Sequence, residues 1–138
     1  MNVQTRLDGK MRIVGSNSSG YETAFDTLES VGGDNSAATP MEILLQALGA
    51  CTTMDIVSIL RKKRKTVNDL KINIEGNKSE NHPKVFQKVH LSFELHSPDA
   101  EMKDFERAVE LSQTTYCSVA ATLKRSGCDV SYSLSIIN

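Results

Sequence analysis

Three cysteines, Cys51, Cys117 and Cys128, are the residues of this sequence best suited to covalent chemistry. A thiolate attacks electrophiles such as peroxides and disulfides, and its surroundings decide how readily the thiol ionises. The N-terminal segment has no apolar core of the signal-peptide kind, which favours a reducing compartment. In such a compartment a cysteine is more often a buried or a reactive thiol than half of a structural disulfide.

Local physical chemistry gives each cysteine a different expectation. Cys51 lies 12 positions after a helix cap, too deep for the helix dipole to lower its pKa, and Asp55 follows one turn later. Taken singly, Cys51 is best interpreted as a buried, inert thiol. Cys117 precedes a short helix whose free N–H groups would stabilise a thiolate, so a reactive and a structural role are equally supported. Cys128 is interpreted as structural.

Other chemical sites are not indicated by the residues. The cysteines lack paired spacing, and the three histidines are spread over a loop and one strand, so no metal site is predicted. His90 and His96 fall on the polar face of their strand, which favours a solvated role. Gly32 and Gly33 lack the following lysine and the preceding strand of a phosphate-binding loop.

The chain is organised around the stretch TPMEILLQALGACTTMDIVSILRKKR, which we interpret as one helix from Thr39 to Arg64. Thr39 suits the N-cap, Pro40 the first helical position, and Glu42 completes a capping box. The apolar residues between Ile43 and Leu60 point in almost every direction around the helix axis. Such a pattern is typical of a helix that is buried all round.

The remaining patterns predict short strands and two further helices. Alternating apolar and polar residues indicate strands, and Gly, Asn and Pro clusters separate them. The predicted elements are strands at 2–7, 11–15, 21–27, around 70–75 and at 89–96, a helix opening at Ser97-Pro98, a break at 114–117, a short helix at 118–124 and a strand at 130–136. The order is βββαββααβ, an α+β fold in a single domain spanning residues 1–138.

A helix that is apolar all round cannot be covered by one amphipathic sheet and one amphipathic helix of the same small chain. The pattern therefore favours a homodimer whose central helices pack together inside sheets from both chains. The alternative is a monomer that wraps its central helix completely.

Charge and composition argue against two classes of partner. With 16 basic and 17 acidic residues the net charge is -1, which argues against a protein that neutralises nucleic-acid phosphates. The basic run 61–65 is interpreted as a solvated helix end. The apolar part of the central helix is interrupted by polar residues, so we expect a soluble, cytoplasmic protein that does not bind membranes.

Two motifs together resemble the OsmC/Ohr family of osmotically inducible proteins and organic hydroperoxide resistance peroxidases. The first is TPMEILLQALGACTTMDIVSIL, and the second, LSQTTYCSVAATL, places its cysteine 66 residues after that of the first. The resemblance extends over essentially the whole chain. Within the family, the sequence is most similar to a less characterised OsmC-like branch. The resemblance implies the OsmC-like fold with an intertwined homodimer.

The resemblance also implies a function, a thiol peroxidase that reduces organic hydroperoxides or hydrogen peroxide in oxidative-stress defence. Cys51 would be the peroxidatic thiol, and Cys117 would resolve its sulfenic acid as a disulfide. An external dithiol, of lipoyl type in the best-known members, would reduce that disulfide. No metal and no bound organic cofactor are implied.

The sequence departs from the family pattern after Pro40, and also at Ser118, where well-characterised members have proline. Well-characterised members carry a glutamate directly after the motif proline and an arginine in the N-terminal strands, whereas here Met41 follows Pro40 and the acid is Glu42. One position is ~100° of helix rotation, so Glu42 points away from Cys51 and is at most an auxiliary residue. The candidate arginines are Arg6 and Arg12. The alternative function is therefore a non-catalytic redox-sensing or apolar-ligand-binding module of the same fold.

Overall fold

The computed structural model describes all residues from 1 to 138. They form two compact units, Met1–Leu44 and Leu45–Asn138, and the boundary falls inside the long helix. The single domain predicted from the sequence stays a prediction. The elements are β1 (Val3–Leu7), β2 (Ile13–Asn17), β3 (Glu22–Phe25), a 3-10 turn (Glu29–Val31), α1 (Pro40–Lys62), β4 (Asp69–Lys78), β5 (Phe86–His96), α2 (Met102–Leu111), a π-helical segment (Ser112–Tyr116), α3 (Ser118–Arg125) and β6 (Asp129–Ile137). The predicted order βββαββααβ is confirmed.

The first unit is an antiparallel meander in the order β1-β2-β3. Leu7 pairs with Ile13, so the Asp8-Gly9 pair lies in a loop of five residues rather than in a two-residue hairpin. The loop after β3 returns to Asp26, whose carboxylate accepts hydrogen bonds from the backbone N–H of Thr27 and from Ser36. Gly33 is required there, because a Cβ would collide with the carbonyl oxygen of Thr27. This loop delivers the chain to α1.

Helix α1 begins as the sequence predicts. The Thr39 hydroxyl accepts from the Glu42 N–H, and the Glu42 carboxylate accepts from the Thr39 N–H at 3.0 Å, which is the reciprocal capping box. The predicted end at Arg64 is wrong by two residues. The helix stops at Lys62 because Arg64 takes the left-handed conformation, with φ of 60°.

Within one chain, α1 is fully buried along only one stripe. The buried residues Leu48, Thr52, Ile56 and Leu60 recur every fourth position. Met54, on another face, is 71% exposed. The prediction of a helix buried all round is therefore wrong for the single chain, because one chain supplies packing partners for only one side. By length and composition alone, α1 is long and apolar enough to cross a membrane, a test that core helices of soluble proteins also pass.

The second unit contains a sheet in the order β4-β5-β6, with β4 antiparallel and β6 parallel to the central β5. Its apolar residues alternate as predicted, and both long helices pack on the same apolar face. An added Cβ on Gly49 of α1 would lie 2.9 Å from the Ile74 side chain, so this glycine allows the helix to approach β4. The Phe105 ring of α2 meets the Phe93 ring of β5 edge to face at 6.2 Å. Helices on one face of a sheet define an α+β architecture.

Helix α2 begins four residues later than Ser97-Pro98 suggests. The Ser97 hydroxyl accepts from the Ala100 N–H at 3.0 Å and so forms a turn, and Glu101 caps the helix in a capping box with Asp104. Lys63 and Lys65 from the end of α1 form ion pairs with Asp104 at 3.3 and 3.4 Å. Part of the basic run thus binds the protein's own carboxylate.

Candidate functional site

Two of the three cysteines lie together between α1 and α3. The Sγ atoms of Cys51 and Cys117 and a carboxylate oxygen of Asp55 all lie within 4.8 Å of one another. Both cysteines are free thiols, with Cys51 half-buried and Cys117 buried. Cys128 is also buried and free, and its nearest polar contact is the Asp129 carbonyl oxygen at 3.8 Å. The sequence-predicted pair therefore forms one site and the third cysteine lies outside it.

Helix geometry explains why Asp55 belongs to this site. Residues four apart lie one above the other on a helix face, so Asp55 stands one turn beyond Cys51 on α1. Its Oδ2 accepts a hydrogen bond from the Ser112 hydroxyl at 2.9 Å, which fixes the carboxylate in place. The carboxylate therefore lies beside both sulfurs.

The π-helical segment positions Cys117. The Cys117 N–H donates to the Ser112 carbonyl oxygen at 2.8 Å, five residues back, and this wider turn sets Cys117 at the N-cap of α3. The Cys117 sulfur accepts a hydrogen bond from the Ala120 N–H at 3.4 Å. The predicted break in the helical pattern at 114–117 is this π segment.

Burial dominates the ionisation of Cys117. Loss of solvent raises the pKa of the Cys117 thiol above its usual value, and the hydrogen bonds from Thr52 and Ala120 offset this only in part. The neighbouring Cys51 sulfur raises that pKa further. Desolvation therefore outweighs the stabilising effect expected from the N-terminus of α3 on a Cys117 thiolate.

Two polar residues that sequence reasoning missed complete the site. Thr52 is 0% exposed, and its hydroxyl lies 3.5 Å from the Cys117 sulfur. The Gln113 amide donates to the Thr52 Oγ1 at 3.1 Å, which leaves the Thr52 hydroxyl proton free to donate to the sulfur. The signal for Thr52 was its place in an otherwise apolar stripe of α1. Gln113 carried no comparable signal, since the π segment that turns it inward was not predicted.

The Gln113 side chain has unused hydrogen-bonding capacity. The residue is only 5% exposed, and its Oε1 is buried without a hydrogen-bond partner. The Lys124 ammonium donates to the Gln113 carbonyl oxygen and ties α3 to the π segment. Buried polar atoms normally have partners, so this oxygen is an acceptor available to a group that enters the site.

A cavity borders the site at Asp55. It has a volume of about 470 Å³, and Asp55, Ile59, Leu111 and Tyr116 contribute to its walls together with Ser58, Lys62 and Lys63. The lining combines apolar surface with two ammonium groups. A small molecule with an apolar body and a polar end suits such a lining.

The residues predicted as auxiliary to the thiols have structural partners of their own. Glu42 forms the capping box with Thr39, and the Arg12 guanidinium donates to Ser36 and pairs with Asp8 at 3.6 Å. Glu42 and Arg12 thus both bind residues of the first unit. The auxiliary role of Glu42 stays a prediction.

The fold and the site together define an α+β protein with a dithiol placed between a central helix and the N-cap of a later one. A family model described as OsmC-like protein matches residues 33–133 of the chain. The chain therefore belongs to the OsmC-like protein family. This confirms the family resemblance and the OsmC-like fold.

Individual relatives agree with this membership. The chain is 35% identical to Protein YhfA of Escherichia coli strain K12 over 115 residues, and this alignment covers 83% of each protein. A solved structure of a hypothetical protein from Aquifex aeolicus VF5 matches with a TM-score of 0.82 and 31% identity, over 99% of this chain and 97% of that one. An organic hydroperoxide resistance protein OsmC from Legionella pneumophila matches with a TM-score of 0.69 over 97% and 95% of the two chains. At 17% identity, that last likeness shows the shared fold alone.

Proposed function

We propose that the protein is a thiol-dependent peroxidase that reduces organic hydroperoxides or hydrogen peroxide as part of oxidative-stress defence. The observation that carries the proposal is the pair of free thiols, Cys51 and Cys117, whose sulfurs lie within 4.8 Å of each other. Their closure to the ~2.05 Å of a disulfide bond requires only a local movement. The organic hydroperoxide resistance protein of Legionella pneumophila, which shares the fold, supports the choice of substrate.

The half-buried Cys51 reacts first, since it is the more accessible sulfur. Its thiolate attacks one peroxide oxygen, the O–O bond breaks, and the sulfur is oxidised by two electrons to a sulfenic acid. The leaving alkoxide takes up a proton and departs as the alcohol. The Cys117 thiolate then attacks the Cys51 sulfur, the S–O bond breaks, and the hydroxide leaves as water after it takes up a proton.

The cycle closes when an external dithiol, of lipoyl type, reduces the disulfide by thiol–disulfide exchange. No resident metal or organic cofactor takes part in this cycle. We place the protein in the cytoplasm as a soluble homodimer without nucleic-acid or membrane partners. The support for the homodimer is the exposed apolar face of α1, where Met54 is 71% exposed.

The test is mass spectrometry of the reduced protein after one equivalent of cumene hydroperoxide. We expect a Cys51–Cys117 disulfide in the wild type, a trapped sulfenic acid on Cys51 in Cys117→Ser, and no reaction in Cys51→Ser. Cys128→Ser is the matched control, because it removes a buried cysteine outside the site and should leave the reaction unchanged. A wild type that reacts no faster than free cysteine would refute the proposal.

A second function is favoured by two observations. Met41 occupies the position of the family glutamate, and burial raises the pKa of the Cys117 thiol. Both reduce thiolate reactivity and support a non-catalytic module that senses oxidation or holds an apolar ligand. This reading predicts oxidation of the site without turnover when peroxide and a dithiol are both supplied in excess.

A further inference from the structure

We propose that reduced Cys51, Asp55 and Cys117 form a binding site for a thiophilic divalent metal ion, Zn²⁺ in particular. The sequence predicts no metal site, because the ligands are not paired in sequence. Folding changes this, since α1 supplies two donors one turn apart and the N-cap of α3 supplies the third. The inference holds whether or not the same thiols reduce peroxides.

The donor atoms have suitable spacing and chemistry. In a tetrahedral zinc site with Zn–S bonds of ~2.3 Å and Zn–O bonds of ~2.0 Å, the donors stand roughly 3.5 to 3.8 Å apart. The two sulfurs and the Asp55 oxygen lie within 4.8 Å of one another, so small side-chain rotations bring them to that spacing. Two thiolates and one carboxylate suit Zn²⁺ and disfavour Mg²⁺ and Ca²⁺, which prefer oxygen ligands alone.

The surroundings of the donors match those of metal ligands. The Ser112 hydroxyl donates to the Asp55 Oδ2 at 2.9 Å, which orients the carboxylate and leaves Oδ1 for an ion. The Ala120 N–H and the Thr52 hydroxyl reach the Cys117 sulfur at 3.4 and 3.5 Å, and such hydrogen bonds stabilise a coordinated thiolate. Two of the three donors, Asp55 and Cys117, are thus held by neighbouring residues.

The fourth position of the ion is left for a solvent molecule. Three protein donors leave one tetrahedral position for water, and the cavity of about 470 Å³ reaches Asp55. Lys62 and Lys63 line the same cavity. Lys63 is already paired with Asp104, and the charge of Lys62 offsets the net charge of -1 that two thiolates, one carboxylate and a divalent ion would leave.

Metal binding and oxidation of the site exclude each other. An ion bound to both sulfurs occupies the electron pairs with which Cys51 would attack a peroxide. Conversely, a Cys51–Cys117 disulfide removes two of the three ligands. The site can therefore hold the ion only in its reduced form.

The test uses the full-length reduced protein under anaerobic conditions, with Co²⁺ as a spectroscopic probe and Zn²⁺ in competition with a coloured chelator. We expect one ion per chain, with the absorption of tetrahedral cobalt and thiolate-to-cobalt charge transfer. Cys51→Ser and Cys117→Ser should each lose the charge-transfer intensity of one sulfur. Ser112→Ala should weaken Zn²⁺ binding about 10- to 100-fold, because it removes the residue that orients Asp55.

Two controls keep the test independent of folding and of peroxidase activity. Cys128→Ser should bind both ions like the wild type, and the wild type oxidised to the Cys51–Cys117 disulfide should bind neither. A cobalt spectrum without thiolate charge transfer, or Zn²⁺ binding that survives Cys51→Ser unchanged, would overturn the proposal. Because no peroxide enters the titration, a protein that binds Zn²⁺ but ignores peroxide refutes the proposed function alone.

Discussion

Thr52 shows how one polar side chain partly offsets the effect of burial on a sulfur. It lies in a stripe of α1 whose other buried members are leucine and isoleucine, and a hydroxyl there must find partners. It accepts from Gln113 and faces the Cys117 sulfur, so it becomes a donor to that sulfur when the thiol ionises. In a site where burial raises the pKa of Cys117, this donor favours the thiolate.

Replacement of Thr52 by the nearly isosteric valine tests this role. Thr52→Val removes a hydrogen bond to a charged sulfur, an interaction of about 1.5 kcal/mol, so Cys117 should form the disulfide roughly tenfold more slowly. The lifetime of the Cys51 sulfenic acid after a peroxide pulse measures the step, by rapid quenching with a sulfenic-acid trap and mass spectrometry. Thr53→Val is the matched control, since the next residue has no hydrogen bond to either cysteine.

The variant also leaves the Gln113 amide without its acceptor, which costs about 1 to 3 kcal/mol of stability. A thermal melt must therefore show that Thr52→Val is folded at the assay temperature, and Thr52→Val combined with Gln113→Leu removes the unpaired amide. Disulfide formation at the wild-type rate in both variants would contradict a role for Thr52 in resolution.

At the scale of the elements, the sequence predicts what depends on local pattern and fails where tertiary contacts decide. Alternation predicted β4, β5 and β6, and the Thr39–Glu42 spacing predicted the start of α1. The π segment was visible only as a break, because an extra residue in a turn leaves no periodic signal. The pairing of Cys51 with Cys117 followed from the family resemblance and not from their spacing.

The loop between β3 and α1 contains a carboxylate, Asp26, that should make the stability of the fold depend on pH. Asp26 is 3% exposed, and hydrogen bonds from the Ser36 hydroxyl and the backbone N–H groups of Ser36 and Thr27 lower its pKa to about 2. The unfolded carboxyl has a pKa of ~3.9, so folding is linked to its ionised form. Asp26 therefore stabilises the fold fully above pH ~4, and this contribution is lost as the pH falls toward 2.

Chemical denaturation at pH 6, 4 and 3 checks this linkage. Asp26→Asn should lower the free energy of unfolding at pH 6 and flatten its decline between pH 4 and 3, because the titrating group is gone. Ser36→Ala should shift the decline to higher pH, since it removes the hydroxyl donor. Thr27→Val keeps the backbone N–H and serves as the control. If the free energy of unfolding of Asp26→Asn declined between pH 4 and 3 as steeply as that of the wild type, Asp26 would be excluded as the cause of the decline.

At the scale of the whole molecule, α1 carries more apolar surface than one chain buries. A single chain buries the stripe that contains Leu48 and Ile56 and leaves the stripe around Met54 in solvent. The prediction of complete burial is wrong for the single chain, and burial of the remaining face by a partner stays a prediction. An exposed apolar groove of about 630 Å³, lined by residues 53, 54, 57, 58, 61 and 62, lies along this side of α1.

We expect a second copy of the chain to cover this side, and Met54→Asp tests it. An unpaired carboxylate buried at a helix–helix interface costs several kcal/mol, which is enough to dissociate a micromolar dimer. The residue is 71% exposed in one chain, so the fold of that chain should tolerate the change. Sedimentation velocity should show a dimer for the wild type and a monomer for Met54→Asp. Met102→Asp, on α2 and 40% exposed, should remain a dimer, and a wild type that sediments as a monomer at tens of micromolar would exclude the homodimer.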